Sequence, residues 1–491
     1  MKTLKITLSL LILICITSCD DFLSEKPDNR TEIDTPDKIA EILVNAYPQI
    51  SYFDIAETMS DNVFDSGMVQ TLLKNEQNYN WEIQTETADI DTQATYWDAC
   101  YRAIAHANTA LEAIDKLGNT SSLNPQRGEA LLARAYSHFM LVSFWSKRYD
   151  PATASKDLGI PYVTKPETQL VTKYTRNTVA EVYALIEKDL EEGLKLVTND
   201  YKEVKFHFNK DAAKAFASRF YLIKGDWDRV IALSDDLGTK PVGKLRDFAS
   251  YDLLSVDDQR IAYASSTANT NLLIVSPNSI VARSRSNRFY LSGDRYQDIF
   301  GPSTSLFGKS WLYNFYSSNS SITVFLPKFY EYFKYTNVTA GIGEPYTAEV
   351  LLSNDEFFLN RIEAHVMKGQ TALANEELEY FLSTRTVGYN ATTDKVTEAK
   401  VVAKYPVIDN EYTPFYTLTP VQTSYVKALA ETRRRDFVHE GMRWFDVKRF
   451  NIVVNHETIN KPVNTLVKDD NRRALQIPLH ASNTGVELNP R

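Results

Sequence analysis

Apolar residues recur three and four positions apart through long stretches of the chain, and that period predicts paired helices. Thr35-Pro36-Asp37 reads as an N-cap with proline at the first helical position, and Ile39, Ile42, Leu43 and Ala46 then share one face. From Thr92 to Leu117 the run Trp97, Tyr101, Ile104, Asn108, Leu111 keeps a four-three-four-three spacing, and Gly118-Asn119 stops it. Asn124-Pro125 starts the next helix, with Leu132, Ala135, Phe139 and Val142 on its buried face. Further helices are predicted at about 177–197, 209–224, 226–237, 354–368 and 370–384, whereas residues 48–90 are mixed and loop-rich.

Two stretches share a plan. Residues 212–233 place alanines and aromatics on one helix, turn at Lys224-Gly225-Asp226 and enter a second amphipathic helix; residues 356–378 repeat this around Lys368-Gly369-Gln370. Small residues let two helices approach closely, and the arrangement is similar to tetratricopeptide-type hairpins, degenerate and interrupted because no period of about 34 residues is kept. Between roughly 240 and 350 the helical pattern fails, with Ser, Asn, Thr and Pro punctuating residues 264–287 and 301–323. Yet residues 283–335 hold 15 Phe, Tyr and Trp in 53 positions, more than twice the 12% of the whole chain, and seven Lys/Arg against three Asp/Glu. A solvated linker is not this aromatic. The segment packs, binds, or does both.

Composition then narrows the function classes. A chain of 491 residues with 43% apolar positions buries a large core, which excludes wholesale disorder. Seventeen glycines are poor material for phosphate-cradling loops, and a net charge of −9 makes nucleic acid an unexpected partner. Cys15, Cys19 and Cys100 build neither a disulfide framework nor a zinc site, Cys100 reads as a small buried hydrophobe, and the seven histidines show no ligand spacing. No cofactor and no metal are therefore expected. At the N-terminus, Lys2 and Lys5 precede an apolar stretch of 11 residues from Ile6 to Ile16. A membrane-spanning helix takes about 20 residues, so this length fits a secretory signal. Ile16-Thr17-Ser18-Cys19 resembles the bacterial lipobox, so residues 1–18 are expected to be removed and Cys19 lipid-modified, leaving a tethered protein of net charge −11 once Lys2 and Lys5 are lost.

Several stretches also carry a family likeness. These are Cys19-Asp20-Asp21-Phe22-Leu23; Trp97, Tyr101, Ile104, Asn108 and Leu111; Gly128-Glu129-Ala130 with Arg134-Ala135-Tyr136 and Phe139; and Gly159-Ile160-Pro161. They continue with Thr178-Val179, Glu181-Val182-Tyr183 and Asp189-Leu190, then Asn209-Lys210, Ala212-Ala213, Arg219, Tyr221-Leu222 and Gly225-Asp226-Trp227, then Arg361 and Glu363-Ala364. The most recognisable is Glu431, Arg434-Arg435, Phe437, Glu440-Gly441 and Arg443-Trp444-Phe445-Asp446 with Lys448-Arg449. In this order they resemble the SusD/RagB family, surface lipoproteins of Bacteroidetes-type nutrient uptake systems. One departure lies after Ile477-Pro478, where Ala481 and Ser482 replace the family's glutamate and aliphatic residue, although Asn489-Pro490 is kept. The resemblance implies a mostly α fold in which tetratricopeptide-like hairpins pack against a large irregular, loop-rich half. It also implies a division into a signal peptide (1–18), a lipid-anchored tether (19–34) and a single SusD-like domain (35–491). Within the domain the helical repeats fall at about 35–240 and 353–386, the irregular region at 241–352 and the signature segment at 387–491.

Each motif has a plain structural reading beside its chemical one. The 431–449 signature interleaves Arg433, Arg434, Arg435, Arg443, Lys448 and Arg449 with Glu431, Asp436, Glu440 and Asp446, which suits internal ion pairs on a locking helix rather than a polyanion site. His439-Glu440 lacks the second histidine of a zinc motif, and no Gly-x-Ser-x-Gly is present. Asn108 on an apolar stripe reads as a buried amide bonded to neighbouring backbone. The aromatic segment is different. Sugar rings stack on flat side chains while their hydroxyls bond to polar groups at the edge, and Arg283, Arg285, Tyr290, Trp311, Tyr313 and Tyr316 offer those types, with Tyr79 and Trp81 able to complete a platform. The same rings could instead pack an irregular core. The resemblance puts a ligand site among these loops without a residue-level motif. It implies a non-catalytic surface lipoprotein of the outer membrane that captures an oligosaccharide and passes it to a SusC-like TonB-dependent transporter. A peptide-capturing member of the family and a surface glycoside hydrolase are the alternatives.

Overall fold

Helix caps fall where the caps and breakers of the chain put them. The structure is a computed structural model that describes residues 33–491 apart from 70–71, 86, 168, 170–171, 294, 319–321 and 460, so the expected lipid site at Cys19 lies outside the described residues. Helix α1 (Pro36–Leu43) is capped by the Thr35 hydroxyl, which accepts from Lys38 N. Two short helices follow, α2 (Phe53–Thr58) and α3 (Leu73–Tyr79), where the pattern predicts loop. Every residue of α2 is buried, so no amphipathic period marks it. Helix α4 (Gln93–Lys116) opens with a Thr92–Thr95 capping box, α5 (Asn124–Trp145) with Pro125 in its first turn, and α6 (Val179–Leu196) with a Thr178–Glu181 capping box.

These three helices stand side by side. Gly128 of α5 and Gly193 of α6 make the close approach possible. A Cβ at Gly193 would sit 2.7 Å from Leu132 Cγ and 3.1 Å from Gly128 O. Asn108 is a structural amide, donating to Val163 O (3.1 Å) and accepting from Arg134 (2.9 Å), which also holds Asp189 through two bonds of 2.7 and 2.8 Å. The hairpins continue with α7 (Lys210–Lys224) and α8 (Trp227–Leu233). Helix α8 ends earlier than its period predicts because the Ser234 hydroxyl donates to Val230 O (2.8 Å) and a 3-10 turn follows.

From residue 240 the chain leaves the helical register, as its punctuation predicts. It forms α9 (Val256–Tyr263), α10 (Tyr296–Phe300) and most of the protein's short strands, which pair two by two. In chain order these are β1 (Phe64–Asp65), β2 (Asn271–Val275), β3 (Phe289–Tyr290), β4 (Tyr316–Ser318), β5 (Thr323–Phe325), β6 (Glu331–Asn337), β7 (Ile342–Thr347), β8 (Glu349–Ser353), β9 (Val454–His456) and β10 (Asn464–Leu466). The antiparallel pairs are β1–β3, β2–β8, β4–β5, β6–β7 and β9–β10. Pair β2–β8 is buried throughout and leads directly into α11 (Asn354–Met367), which with α12 (Thr371–Ser383) forms the second predicted hairpin.

After α13 (Glu398–Lys404), the signature segment is two helices rather than one, α14 (Pro420–Asp436) and α15 (Met442–Arg449), followed by the short α16 (Leu479–Asn483). The break requires Gly441: its φ is +70°, and a Cβ there would lie 2.6 Å from Ala56 Cβ of α2. Its arginines pair partly within the segment, as their interleaving suggests, but the main anchors come from elsewhere. Arg443 forks onto Asp61 (2.8 and 2.8 Å), and Arg433 and Arg449 converge on the buried Glu363 of α11 (2.6 and 2.5 Å). The C-terminal tail is fastened by Asn489, which donates to Trp145 O (2.8 Å) and Leu475 O (2.7 Å). One hydrophobic cluster runs from Ile39 to Val486 through helical and irregular parts alike.

A fully buried polar contact joins them. Arg385, with no exposed surface, donates to Asp436 (2.6 Å), Asp355 (2.7 Å) and the Arg246 carbonyl (2.9 Å). Burial opposes ionisation of Asp355, yet Arg385 and Arg246 hold its carboxyl below the usual carboxylate range. Replacing Arg385 with methionine strands two carboxylates in the core. The expected loss is about 3–5 kcal/mol of stability, read from chemical denaturation, and an unchanged denaturation midpoint contradicts this role.

Candidate functional site

The irregular half builds an open groove of about 570 Å³ lined by Asp252, Tyr296, Tyr313, Asn314, Phe315, Tyr316, Ser317 and Val324. Its rings are held by a second layer of rings. Tyr296 stacks on Phe300 one helical turn away (5.4 Å, 15°), and Phe315 meets both Tyr296 (4.8 Å) and Phe300 (4.5 Å). Tyr316 leans on Phe325 across the β4–β5 pair (6.1 Å), and its hydroxyl accepts from Gln259 (2.7 Å). Tyr296, Phe315 and Tyr316 are each only half-buried, and Asn314 donates to Asp252 (2.8 Å) at the rim. Flat faces and polar edges therefore meet in one groove.

A second cleft of about 500 Å³ lies on the other side of the Arg295–Tyr296 step, lined by Phe64, Asp65, Ser66, Ser292, Arg295, Ile322, Glu457, Thr458 and Ile459. It is charged rather than aromatic. Arg288 forks onto Asp65 (2.6 and 2.7 Å), and Arg295 pairs with Glu457 (2.9 Å) above the Phe64 ring. Partial burial opposes ionisation of Asp65, but the Arg288 fork and two backbone N–H groups keep its carboxyl below the usual range. Among the described residues, no group of three or more His, Cys, Asp or Glu is placed to hold a metal ion.

The residues singled out in the sequence divide. Tyr316 and Tyr313 do line the aromatic groove. Arg285 lies behind it, over Phe325 (5.3 Å) beside Arg260, and burial and then Arg260 push its guanidinium below its usual range. Arg283 is 58% exposed at the side chain but spent on a fork to Glu331 (2.7 and 2.7 Å). The expected platform is corrected for the remaining rings, which are buried. Tyr79 and Trp81 sandwich His456 at 3.9 and 4.3 Å in a buried column that ends on Phe289. Tyr290 stacks on His439 (4.6 Å), and burial pushes its hydroxyl well above the usual phenol range. Trp311 lies between Tyr313 (5.9 Å, 5°) and the Arg435 guanidinium (5.0 Å), and its indole N–H donates to Thr304 (3.2 Å). Tyr313 is floor rather than platform, its hydroxyl donating to Asp436 (2.8 Å). Tyr296, Phe315, Asp252 and Asn314 were not singled out. Only the Tyr296–Phe300 spacing of four residues hinted at a supported ring.

Residues 21–222 match a SusD-like family model described as "starch-binding associating with outer membrane". Solved structures extend the likeness to the whole fold. A SusD superfamily protein from Bacteroides thetaiotaomicron VPI-5482 superposes with a TM-score of 0.68 at 19% identity, covering 93% of this chain and all of its own. Over residues 21–222 the chain is similar to SusD-like proteins in sequence, and over nearly its whole length it shares their fold. A SusD superfamily protein from Bacteroides vulgatus ATCC 8482 gives 0.64 at 18% identity over 93% of this chain and 98% of its own. A structure described as a SusD-like carbohydrate binding protein from the same strain gives 0.62 at 15% identity over 92% and 96%. No curated protein matches in sequence. Beyond residue 222 the SusD likeness is one of fold, and it covers the segment that builds the aromatic groove.

Trp311 offers a direct test of which rings pack and which are presented. Trp311→Ala should cost about 3–5 kcal/mol of stability while leaving ligand affinity of the folded protein unchanged. A loss of affinity at unchanged melting temperature contradicts its assignment to the core.

Proposed function

We propose that this SusD-like protein is a non-catalytic surface lipoprotein that captures an oligosaccharide in the aromatic groove and delivers it to a SusC-like TonB-dependent transporter of the outer membrane. The observation that carries the reading is the trio of half-buried rings, Tyr296, Phe315 and Tyr316, set beside Asp252 and Asn314 in an open groove. Stacking supplies affinity for the C–H faces of sugar rings, and the amide and carboxylate satisfy hydroxyls at the edge. The match to a SusD-like family described as starch-binding supports the ligand class.

The lipid anchor at Cys19, the tether up to residue 34 and the single domain from residue 35 belong to the same reading. Intact mass of the membrane-extracted protein should show a chain that begins at acylated Cys19, and Cys19→Ser should move it to the soluble fraction. A Cys19→Ser variant that stays in the membrane rejects the anchor.

Titration against a panel of glycans and peptides tests the ligand. Tyr296→Ala and Tyr316→Ala should each weaken glycan binding by about 5- to 150-fold, the loss of one stacking ring at about 1–3 kcal/mol, with the melting temperature little changed. Mixed peptides co-purifying with a protein that ignores glycans, or release of reducing sugar from a bound glycan, would replace this reading with a peptide binder or a hydrolase.

A further inference from the structure

Strands β6 and β7 form a hairpin, and among the described residues no further strand pairs with the outer strand β6. At its base β7 is paired, Thr347 N donating to Pro277 O (3.2 Å) and Ser279 N to Pro345 O (3.2 Å). Among the described residues, the backbone of β6 bonds to nothing outside the hairpin, leaving an open strand edge from Tyr332 to Asn337. The two faces differ. On one, Tyr332 stacks on Tyr346 (5.1 Å) and on the edge of Tyr330 (4.8 Å), all half-buried. On the other, Phe333 and Tyr335 touch edge to face (4.9 Å) while 43% and 57% exposed, and Val338 (80%) stands exposed at the tip. Phe333 lies over Gly343, where an added Cβ would meet its ring at 2.7 Å, so glycine leaves the room that the ring occupies.

The strip combines unpaired strand backbone with exposed apolar side chains, the features that strand addition uses. We propose that the open edge of β6 is a docking strip to which an extended segment of a partner protein adds as a third strand, apolar opposite Phe333 and Tyr335 and acidic opposite Lys334. The charge pattern selects that occupant. Lys334 sits mid-strand with no ion pair among the described residues, because its cross-strand neighbour Glu344 is held by Asn278. Antiparallel self-pairing about the middle of β6 would set two Lys334 side chains directly opposite, which disfavours a second copy. Lys334 and Arg283 against Glu331 and Glu344 leave no excess of positive charge for an anionic lipid surface. The partner assigned is the outer-membrane transporter, and for that identity the inference rests on the reading above.

The test uses the full acylated protein extracted from outer membranes, with co-purifying barrel proteins identified by mass. Phe333→Ser/Tyr335→Ser and, separately, Lys334→Glu should each reduce retention of the transporter by about tenfold or more, with melting temperature and glycan titration as in the unaltered protein. Either variant retaining the transporter as well as the unaltered chain overturns the strip. Failure of the unaltered chain to retain any transporter overturns the partner reading itself. A sedimentation dimer that Phe333→Ser/Tyr335→Ser dissolves, or vesicle binding by the unacylated chain that it abolishes, overturns the proposal in favour of a second copy or a lipid surface.

Discussion

Arg385 imposes a constraint that the rest of the molecule is arranged to meet. A guanidinium cannot be deprotonated, so placing it where no water reaches demands carboxylates, and they must come from different parts of the chain. Asp355 arrives at the start of α11, Asp436 at the end of α14, and the Arg246 carbonyl from the irregular half. The strand-like run from Ser310 to Leu312 pairs with residues 385–387, Leu312 N donating to Arg385 O (2.8 Å). Asp436 in turn takes the Tyr313 hydroxyl, and its carbonyl takes Lys328, which also reaches Glu440. Helical hairpin, signature helix and aromatic groove therefore share one polar knot. Any element that drifts leaves a buried charge unmatched, which makes the knot a register for assembly as much as a source of stability.

That arrangement explains what the signature does. Residues 431–449 supply no side chain to the lining of the aromatic groove, yet Arg435 faces Trp311, Asp436 fixes Tyr313, and His439 stacks under Tyr290. Through Asp436 on Tyr313 and Arg435 on Trp311, the segment sets part of the layer beneath the groove. A binding groove of exposed rings works only if those rings are already in position when the ligand arrives, since ordering them on binding costs affinity.

The helices were legible from the chain because their signals are local: caps at Thr92, Thr178 and Asn209, a proline at position 125, and apolar residues three and four apart. Helix α2 was not, because a segment buried on every side carries no period. The groove was legible only as a region. Aromatic density marks where rings gather, but a segment poor in regular structure also has little else to bury, so most of those rings become core. Which ones do depends on partners remote in sequence. Tyr79 and Trp81 are taken up by His456, and Trp311 by Arg435, pairings invisible to spacing. Tyr296 and Phe315 remain presented because Phe300 fills the space behind them.

The irregular half thus uses aromatic side chains in three ways, and what lies behind each ring separates them. Rings with neighbours on both faces, such as Tyr79 between Phe289 and His456, are core and have no face left to offer. Rings backed on one side and open on the other, Tyr296 on Phe300 and Tyr316 on Phe325, are rigid plates suited to a flat ligand that brings its own polar edge. Phe333 and Tyr335 stand on a hairpin whose outer strand has an open edge and whose inner strand is paired to the rest of the protein at its base, and a pair of strands by itself is marginal in water. A plate on such a hairpin is a poor place to stack a sugar, because the support must be ordered along with the ligand. An incoming strand orders it by completing the sheet. The same residue types, in one stretch of sequence, therefore suit a small ligand where the core buttresses them and a protein edge where it does not.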